Sequence, residues 1–275
     1  MKRFFTGIFV ITTLLLSSSC SSDIKSGDQI NHNSMNHDEH TQMETSQAEL
    51  ILPQNIAANL PLNLLIDIQT SAGKPINKFD IFQEKLMHLI IVSNDLKLFD
   101  HIHPAYKNNG RFTVDKTFTE PGEYTLFSDY KPAGQKETVS LMKITIPGSV
   151  PLPKSLEKFT KTKTISDVKV NLNISPQKIK SGQEISLKFD LQDTIKNQPI
   201  KNLKPYLGEK AHLVIIKSSY PLTKSDYIHA HALKNNSDHQ IEFMTKFPLS
   251  GTYKMWIQFN HNNKIKTADF WVNVE

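Results

Sequence analysis

Three observations predict an all-β protein of two tandem sandwiches. Apolar residues fall in short runs or alternations of about 5–8 residues, turn-forming residues separate the runs, and the whole pattern occurs twice. The chain has 275 residues, 38% of them apolar and 21% charged, which is material for one large core or two of ordinary size. With 10 Gly, 14 Pro and no apolar run of the roughly 18 residues a membrane-spanning helix needs, collagen-like and polytopic membrane classes drop out.

The elements follow in chain order. Lys2 and Arg3, the apolar stretch Gly7 to Leu16 and the small residues Ser17 to Ser19 read as an export signal over residues 1–19. Cys20, the only cysteine, follows at once. The polar segment 20–48 holds too little apolar surface to fold alone and reads as a flexible tether. Residues 49–146 and 166–275 are the two sandwiches, and the spaced prolines within 147–165 suit an extended, semi-rigid connector.

The repeat is direct. Leu62 to Gln69 matches Ile185 to Gln192, and Pro75-Ile76 matches Pro199-Ile200. Met87 to Ile91 matches Ala211 to Ile215, and His101-Ile102-His103 matches His229-Ala230-His231. Downstream, Phe112, Phe118, Gly122, Tyr124 and Leu126 correspond to Ile241, Phe247, Gly251, Tyr253 and Met255. Turn chemistry at Asn108-Asn109-Gly110, Pro121-Gly122 and Ser250-Gly251 separates the runs. About seven strands in about 100 residues fit an immunoglobulin-like or a cupredoxin-like sandwich, which share this strand count. Tyr124 and Tyr253, each two residues past a glycine, fit either a tyrosine at a sandwich corner or an ordinary core tyrosine.

Charge and cysteine usage narrow the function. The formal charge of +5 falls to +3 without Lys2 and Arg3, and residues 21–48 carry −4 of it, leaving +7 on the remainder. The lysines are scattered, with no basic block alternating with aromatics, so nucleic acid is not an expected partner. If Cys20, the only cysteine, is acylated, the mature chain has no thiolate for blue copper and no cysteine nucleophile. No carboxylate pair, nucleophile elbow or phosphate loop is present, and the chain reads as a non-enzyme.

Nine of the eleven histidines fall in three groups. His32, His37 and His40 lie in the tether with Met35 and Met43, a set whose thioethers favour Cu(I). The other six form two repeat-matched triplets, His88, His101, His103 and His212, His229, His231. In a strand, His101 and His103 project from one face with Cα atoms about 6.6 Å apart, as do His229 and His231, near enough for two imidazoles to meet one ion. His88 precedes His101 by 13 positions and His212 precedes His229 by 17. The difference is even, so facing is preserved if the second connection is simply longer. Three imidazoles without a thiolate suit Cu(II) or Zn(II). The competing reading is structural, with each ring hydrogen-bonded to nearby backbone and no ion involved.

Ser17-Ser18-Ser19-Cys20 resembles the lipobox of bacterial lipoproteins, although Leu16 stands four residues before the cysteine where that pattern has it three before. Met87-His88-Leu89-Ile90-Ile91-Val92, Asp100-His101-Ile102-His103-Pro104 and Pro121-Gly122-Glu123-Tyr124 resemble exported bacterial lipoproteins with tandem sandwich repeats, similar in style to periplasmic copper-handling modules. The second copy departs in having Ala211 before His212 and Ala232 after His231. The resemblance implies metal handling. The expectation is an exported protein anchored to a membrane by lipid on Cys20, binding copper, or zinc in its place, for buffering, resistance or delivery to a transporter or efflux partner. The alternative expectation is a surface lipoprotein whose sandwiches act as spacers or partner-binding modules; a metalloenzyme with an open metal position ranks third.

Overall fold

A computed structural model describes residues 45–150, 159–201, 203–234 and 239–275. The residues read as an export signal, and Cys20, lie outside them. The first repeat forms β1 (Ser46–Ile51), β2 (Pro61–Thr70), β3 (Met87–Ser93), β4 (Phe99–Ile102), β5 (Ala105–Tyr106), β6 (Arg111–Thr117), β7 (Gly122–Tyr130) and β8 (Thr138–Ile146). The second forms β9 (Thr162–Ile165), β10 (Val168–Ser175), β11 (Glu184–Asp193), β12 (Gln198–Pro199), β13 (Ala211–Lys217), β14 (Tyr227–His231), β15 (Gln240–Lys246), β16 (Gly251–His261) and β17 (Lys264–Val274).

In the first repeat, β1-β2-β6-β5 make one sheet and β4-β3-β7-β8 the other. The second repeat places β9, β10, β11, β12 and β15 in one sheet and β14-β13-β16-β17 in the other. All these pairings are antiparallel. Both repeats are therefore immunoglobulin-like sandwiches. Tyr124 and Tyr253 are corner tyrosines: each hydroxyl donates to a carbonyl four residues upstream, on Glu120 and Leu249, at 2.8 Å.

Strand patterning explains how the sandwiches meet. β2 and β11 alternate because one face is buried; Leu64, Ile66 and Ile68 enter the first core, and Ile185, Leu187 and Phe189 the second. β3 and β13 do not alternate, being buried on nearly every residue. In β3, Met87, Leu89 and Ile91 face their own core, whereas Ile90 and Val92 join a third apolar cluster with Leu96 and Phe127 of the first repeat and Val214, Ile216, Tyr227 and Trp256 of the second. The sheets carrying β3 and β13 thus pack on one another. A strand covered on both faces reads as a continuous apolar run.

The junction is a quasi-twofold one. Phe99 stacks on Trp256 with ring centroids 4.7 Å apart, and the repeat-matched pair Tyr227 and Phe127 stacks at 4.9 Å. Reciprocal contacts of this kind are what an isologous interface produces, here within one chain.

Two boundaries differ from the sequence reading. β1 starts at Ser46, within the span read as tether, because Ala48 and Leu50 turn onto the first core while Gln47 and Glu49 stay in solvent. β9 lies within the span read as connector, where Thr162–Ile165 pairs with β10 as an edge strand.

Candidate metal centre

The quasi-twofold brings the two triplets to one place, whereas the sequence reading had a separate cluster in each repeat. In β3 and β13 the residues facing the junction are every second one, so His88 continues the face of Ile90 and Val92, and His212 that of Val214 and Ile216. His229 pairs with Val214 and His101 with Ile90, which puts both on that face too. His231 pairs with His212; His103 lies one residue past the end of β4, just before Pro104. The four-residue difference in spacing leaves the facing unchanged, as parity requires.

Four rings, His88, His101, His212 and His229, have all six centroid separations between 5.2 and 6.3 Å. That is close to a regular tetrahedron. The nitrogens in contact are those of two pairs within it, His88 with His101 and His212 with His229. His103 adjoins this group at 5.0 Å from His88 and 4.8 Å from His101. Ligand nitrogens of His88, His101 and His103 all lie within 4.8 Å of one another.

Hydrogen bonds fix which nitrogen of each ring carries its proton. His88 Nε2 faces the carbonyl of Phe82 at 3.3 Å, and His212 Nε2 faces that of Tyr206 at 3.0 Å. A carbonyl only accepts, so both Nε2 atoms are protonated and both Nδ1 atoms carry lone pairs. His101 Nδ1 donates to Gln258 Oε1 at 2.7 Å and His229 Nδ1 to Asp129 Oδ2 at 3.1 Å, which leaves both Nε2 atoms with lone pairs. The two pairs of lone-pair nitrogens point at one another: His88 Nδ1 lies 3.0 Å from His101 Nε2, and His212 Nδ1 3.4 Å from His229 Nε2. Two nitrogens ligating one ion tetrahedrally stand about 3.3 Å apart.

The turns that supply the two carbonyls are tight. Phe82 and Lys85 exchange backbone hydrogen bonds around Gln83 and Glu84, and Tyr206 and Glu209 around Leu207 and Gly208. Gln83, Glu84 and Leu207 have φ of 47°, 63° and 53°, the left-handed region that non-glycine residues enter at a cost of about 1–2 kcal/mol. These strained turns hold Phe82 and Tyr206 over the two histidines.

Burial keeps the cluster uncharged. Desolvation, helped by neighbouring imidazoles, lowers His88 to about 2 and His101, His103, His212 and His229 to about 3. A proton is therefore not available at neutral pH to fill the gap between facing lone pairs. His103 Nε2 is buried with no hydrogen-bond partner among the described residues, a further unused lone pair or donor.

The pseudo-symmetry breaks at two positions. His231 is half exposed, contacts Gln83 and lies 3.6 Å from Glu209, whereas His103 turns into the cluster beside Lys85. Glu209 and Lys85 are repeat-matched, so opposite charges steer the two outer histidines differently. The second break is Asp129, which pairs with His88 in the register where Gln258 pairs with His212. Asp129 and the neighbouring Glu137 are both raised to about 7, by burial first.

Sequence reasoning missed Asp129, Gln258, Glu137 and the carbonyls of Phe82 and Tyr206. A signal for two of them existed: each is the polar residue three positions after the matched Leu126 and Met255, inside a buried run. His239 and His261 stay apart, His239 exposed and His261 3.7 Å from Asp167. The tether set His32, Met35, His37, His40 and Met43 lies outside the described residues.

No curated protein matches the chain. Among solved structures it is similar to a Salmonella alpha-2-macroglobulin mutant, at TM-score 0.28 and 9% identity over 83% of this chain and 14% of that one. It is also similar to invasin, a bacterial integrin-binding protein, at TM-score 0.24 and 11% identity over 82% of this chain and 39% of that one. A two-domain fibronectin type-III segment of chicken tenascin scores 0.25 at 11% identity, covering 83% and 99%. The chain thus spans 14% of the alpha-2-macroglobulin and 39% of the invasin chain. Both repeats match a single family over residues 42–146 and 163–275, and the chain belongs to that family, described as Domain of unknown function (DUF8832).

Proposed function

We propose that the protein is a lipid-anchored, extracytoplasmic metal-binding protein that holds copper, or zinc, in one composite imidazole centre between its two sandwiches, for buffering or delivery. One observation carries the reading: two pairs of buried histidines present unprotonated nitrogens to one another at 3.0 and 3.4 Å, with their other nitrogens committed as donors. Opposed lone pairs repel, and a buried gap between them is stabilised by a cation. Imidazole nitrogens without thiolate suit Cu(II) and Zn(II). His88, His101, His212 and His229 are the proposed ligands, with His103 as a fifth within reach and His231 turned to Glu209. The tether histidines and methionines are proposed to capture Cu(I) separately, and Cys20 to carry the lipid.

The test is uptake by the purified chain. Titration with Cu(II) and with Zn(II) at micromolar concentration is expected to saturate the centre, and the double variant His88→Ala, His212→Ala to remove that saturation. Failure of the unaltered chain to take up either ion overturns the proposal.

The apolar junction supports a second reading, a structural or partner-binding surface module, because Phe99, Trp256, Phe127 and Tyr227 hold the sandwiches together without any ion. A protein complex that survives conversion of all six triplet histidines to alanine favours that reading.

A further inference from the structure

His229 is the one histidine of the cluster whose donor nitrogen meets a carboxylate. Nε2 faces His212, and Nδ1 faces Asp129 Oδ2 at 3.1 Å. Beyond it, ligand atoms of Asp129, Glu137 and His229 all lie within 4.8 Å of one another. Asp129 is fully buried, and its second oxygen, Oδ1, has no hydrogen-bond partner among the described residues. A buried carboxylate oxygen left without a donor is costly. Tyr227 donates only to Oδ2, at 3.3 Å, and Glu137 lies close enough to share a proton with Asp129, an interaction that lowers Asp129 and raises Glu137.

We infer that Asp129, Glu137 and His229 Nδ1 form a second cation site, joined to the proposed imidazole centre through the ring of His229. A carboxylate–carboxylate–imidazole set is a common ligand group for Zn(II), and the 3.1 Å between Nδ1 and Oδ2 is close to the roughly 3.3 Å separating two ligands of one tetrahedral ion. When a cation enters, the Nδ1 proton leaves to solvent and the ring becomes an imidazolate ligating one ion at each nitrogen, about 6 Å apart. Glu137, exposed at its outer end, gives the site its opening to solvent. The quasi-twofold counterpart cannot form, because Gln258 stands where Asp129 would be. One additional site, not two, follows from that single asymmetry. The inference rests on the proposed function for its shared ligand but makes its own prediction of stoichiometry.

The experiment uses the full chain with His32, His37 and His40 changed to alanine, so that the tether adds no zinc. After Zn(II) loading and gel filtration, elemental analysis is expected to give two Zn per chain, falling to one in Asp129→Asn and in Glu137→Gln. Gln258 shows that an amide fits at this register, and Glu137 lies at the surface, so both variants are expected to fold. Loading with Cu(II) instead is expected to give a resonance integrating well below two spins per chain, through coupling across the imidazolate, and one full spin in Glu137→Gln. One Zn per chain, unchanged by either substitution, overturns the second site and leaves the imidazole centre standing. No zinc at all overturns both. In His88→Ala, His212→Ala, one Zn that is lost on adding Glu137→Gln is the result expected when both sites exist, whereas two Zn retained in that double variant overturns the composite centre.

Discussion

His101 Nδ1 donates to Gln258 Oε1 at 2.7 Å across the junction, so a histidine of one repeat is oriented by an amide of the other. Gln258 is itself held, its Nε2 donating to Thr267 Oγ1 at 3.2 Å. A partner that fixes the tautomer and ring orientation of a metal-ligating histidine is typically worth about 10–100-fold in affinity. Gln258→Leu is therefore expected to weaken copper or zinc binding by about that factor, while Gln258→Glu, which keeps an acceptor for Nδ1, retains binding. Calorimetric titration of the three proteins reads the difference, and equal affinities in all three remove Gln258 from the site.

The neutral imidazoles make the ion-free protein acid-sensitive. His88, His101, His103, His212 and His229 have folded values of about 2 to 3, below the ordinary value near 6.5 that they regain on unfolding. Between those values the unfolded chain binds more protons, so their contribution is complete above about pH 6.5 and is lost as pH falls towards about 3. Asp129 and Glu137 act with the opposite sign: raised to about 7, they contribute fully below about pH 4 and lose that contribution as pH rises through 7. Five groups oppose two across the shared window. The urea midpoint of the metal-free chain is expected to fall between pH 7 and pH 4.5, and His88→Gln combined with His212→Gln to flatten that fall. A midpoint that rises on acidification contradicts the buried neutral cluster.

The corner tyrosines give a contrasting expectation, because they lie on the core side of β7 and β16, away from the histidines. Tyr124 and Tyr253 are each buried in their own sandwich core and donate 2.8 Å hydrogen bonds to Glu120 and Leu249. Tyr124→Phe and Tyr253→Phe each leave a carbonyl without its donor and are expected to lower stability by about 1 kcal/mol. Chemical denaturation measures the loss. Metal uptake by both variants is expected to match the unaltered chain, and a large change in it places these residues in the metal centre.

Much of the fold was legible because the repeat and the alternation of β2 and β11 leave few ways to bury Leu64, Ile66, Leu187 and Phe189. The histidine spacing also carried through, since parity depends only on the ladder. The face-to-face packing was hidden in what looked like ordinary hydrophobic strands. The unbroken burial of β3 and β13 means two covered faces, but the same run of Leu, Ile and Val fits a strand at the centre of any core. Without that packing, His88 and His212 belong to separate modules, and Asp129 and Gln258 have no histidine to orient. The roles of Phe82 and Tyr206 come from backbone carbonyls in left-handed turns, to which side-chain identity contributes almost nothing.

The strongest expectation concerns the junction, because the histidine cluster draws rings from both repeats. Trp256 is 3% exposed, stacks on Phe99 at 4.7 Å and lies two residues from Gln258 on the same face of β16. Removing a buried tryptophan side chain costs about 3–5 kcal/mol where neighbours collapse only partly. Each sandwich keeps its own core in Trp256→Ala, since Tyr253, Met255 and Ile257 face the other way. The expected result is loss of docking with both sandwiches still folded: a second, earlier unfolding transition in the absence of metal, and weaker metal binding from ligands no longer held together. Excess copper or zinc is expected to restore the single transition, because an ion bound only by the docked form stabilises it by mass action. A variant that unfolds in one step at every metal concentration, and binds metal as the unaltered chain does, shows instead that the junction is not what gathers the ligands.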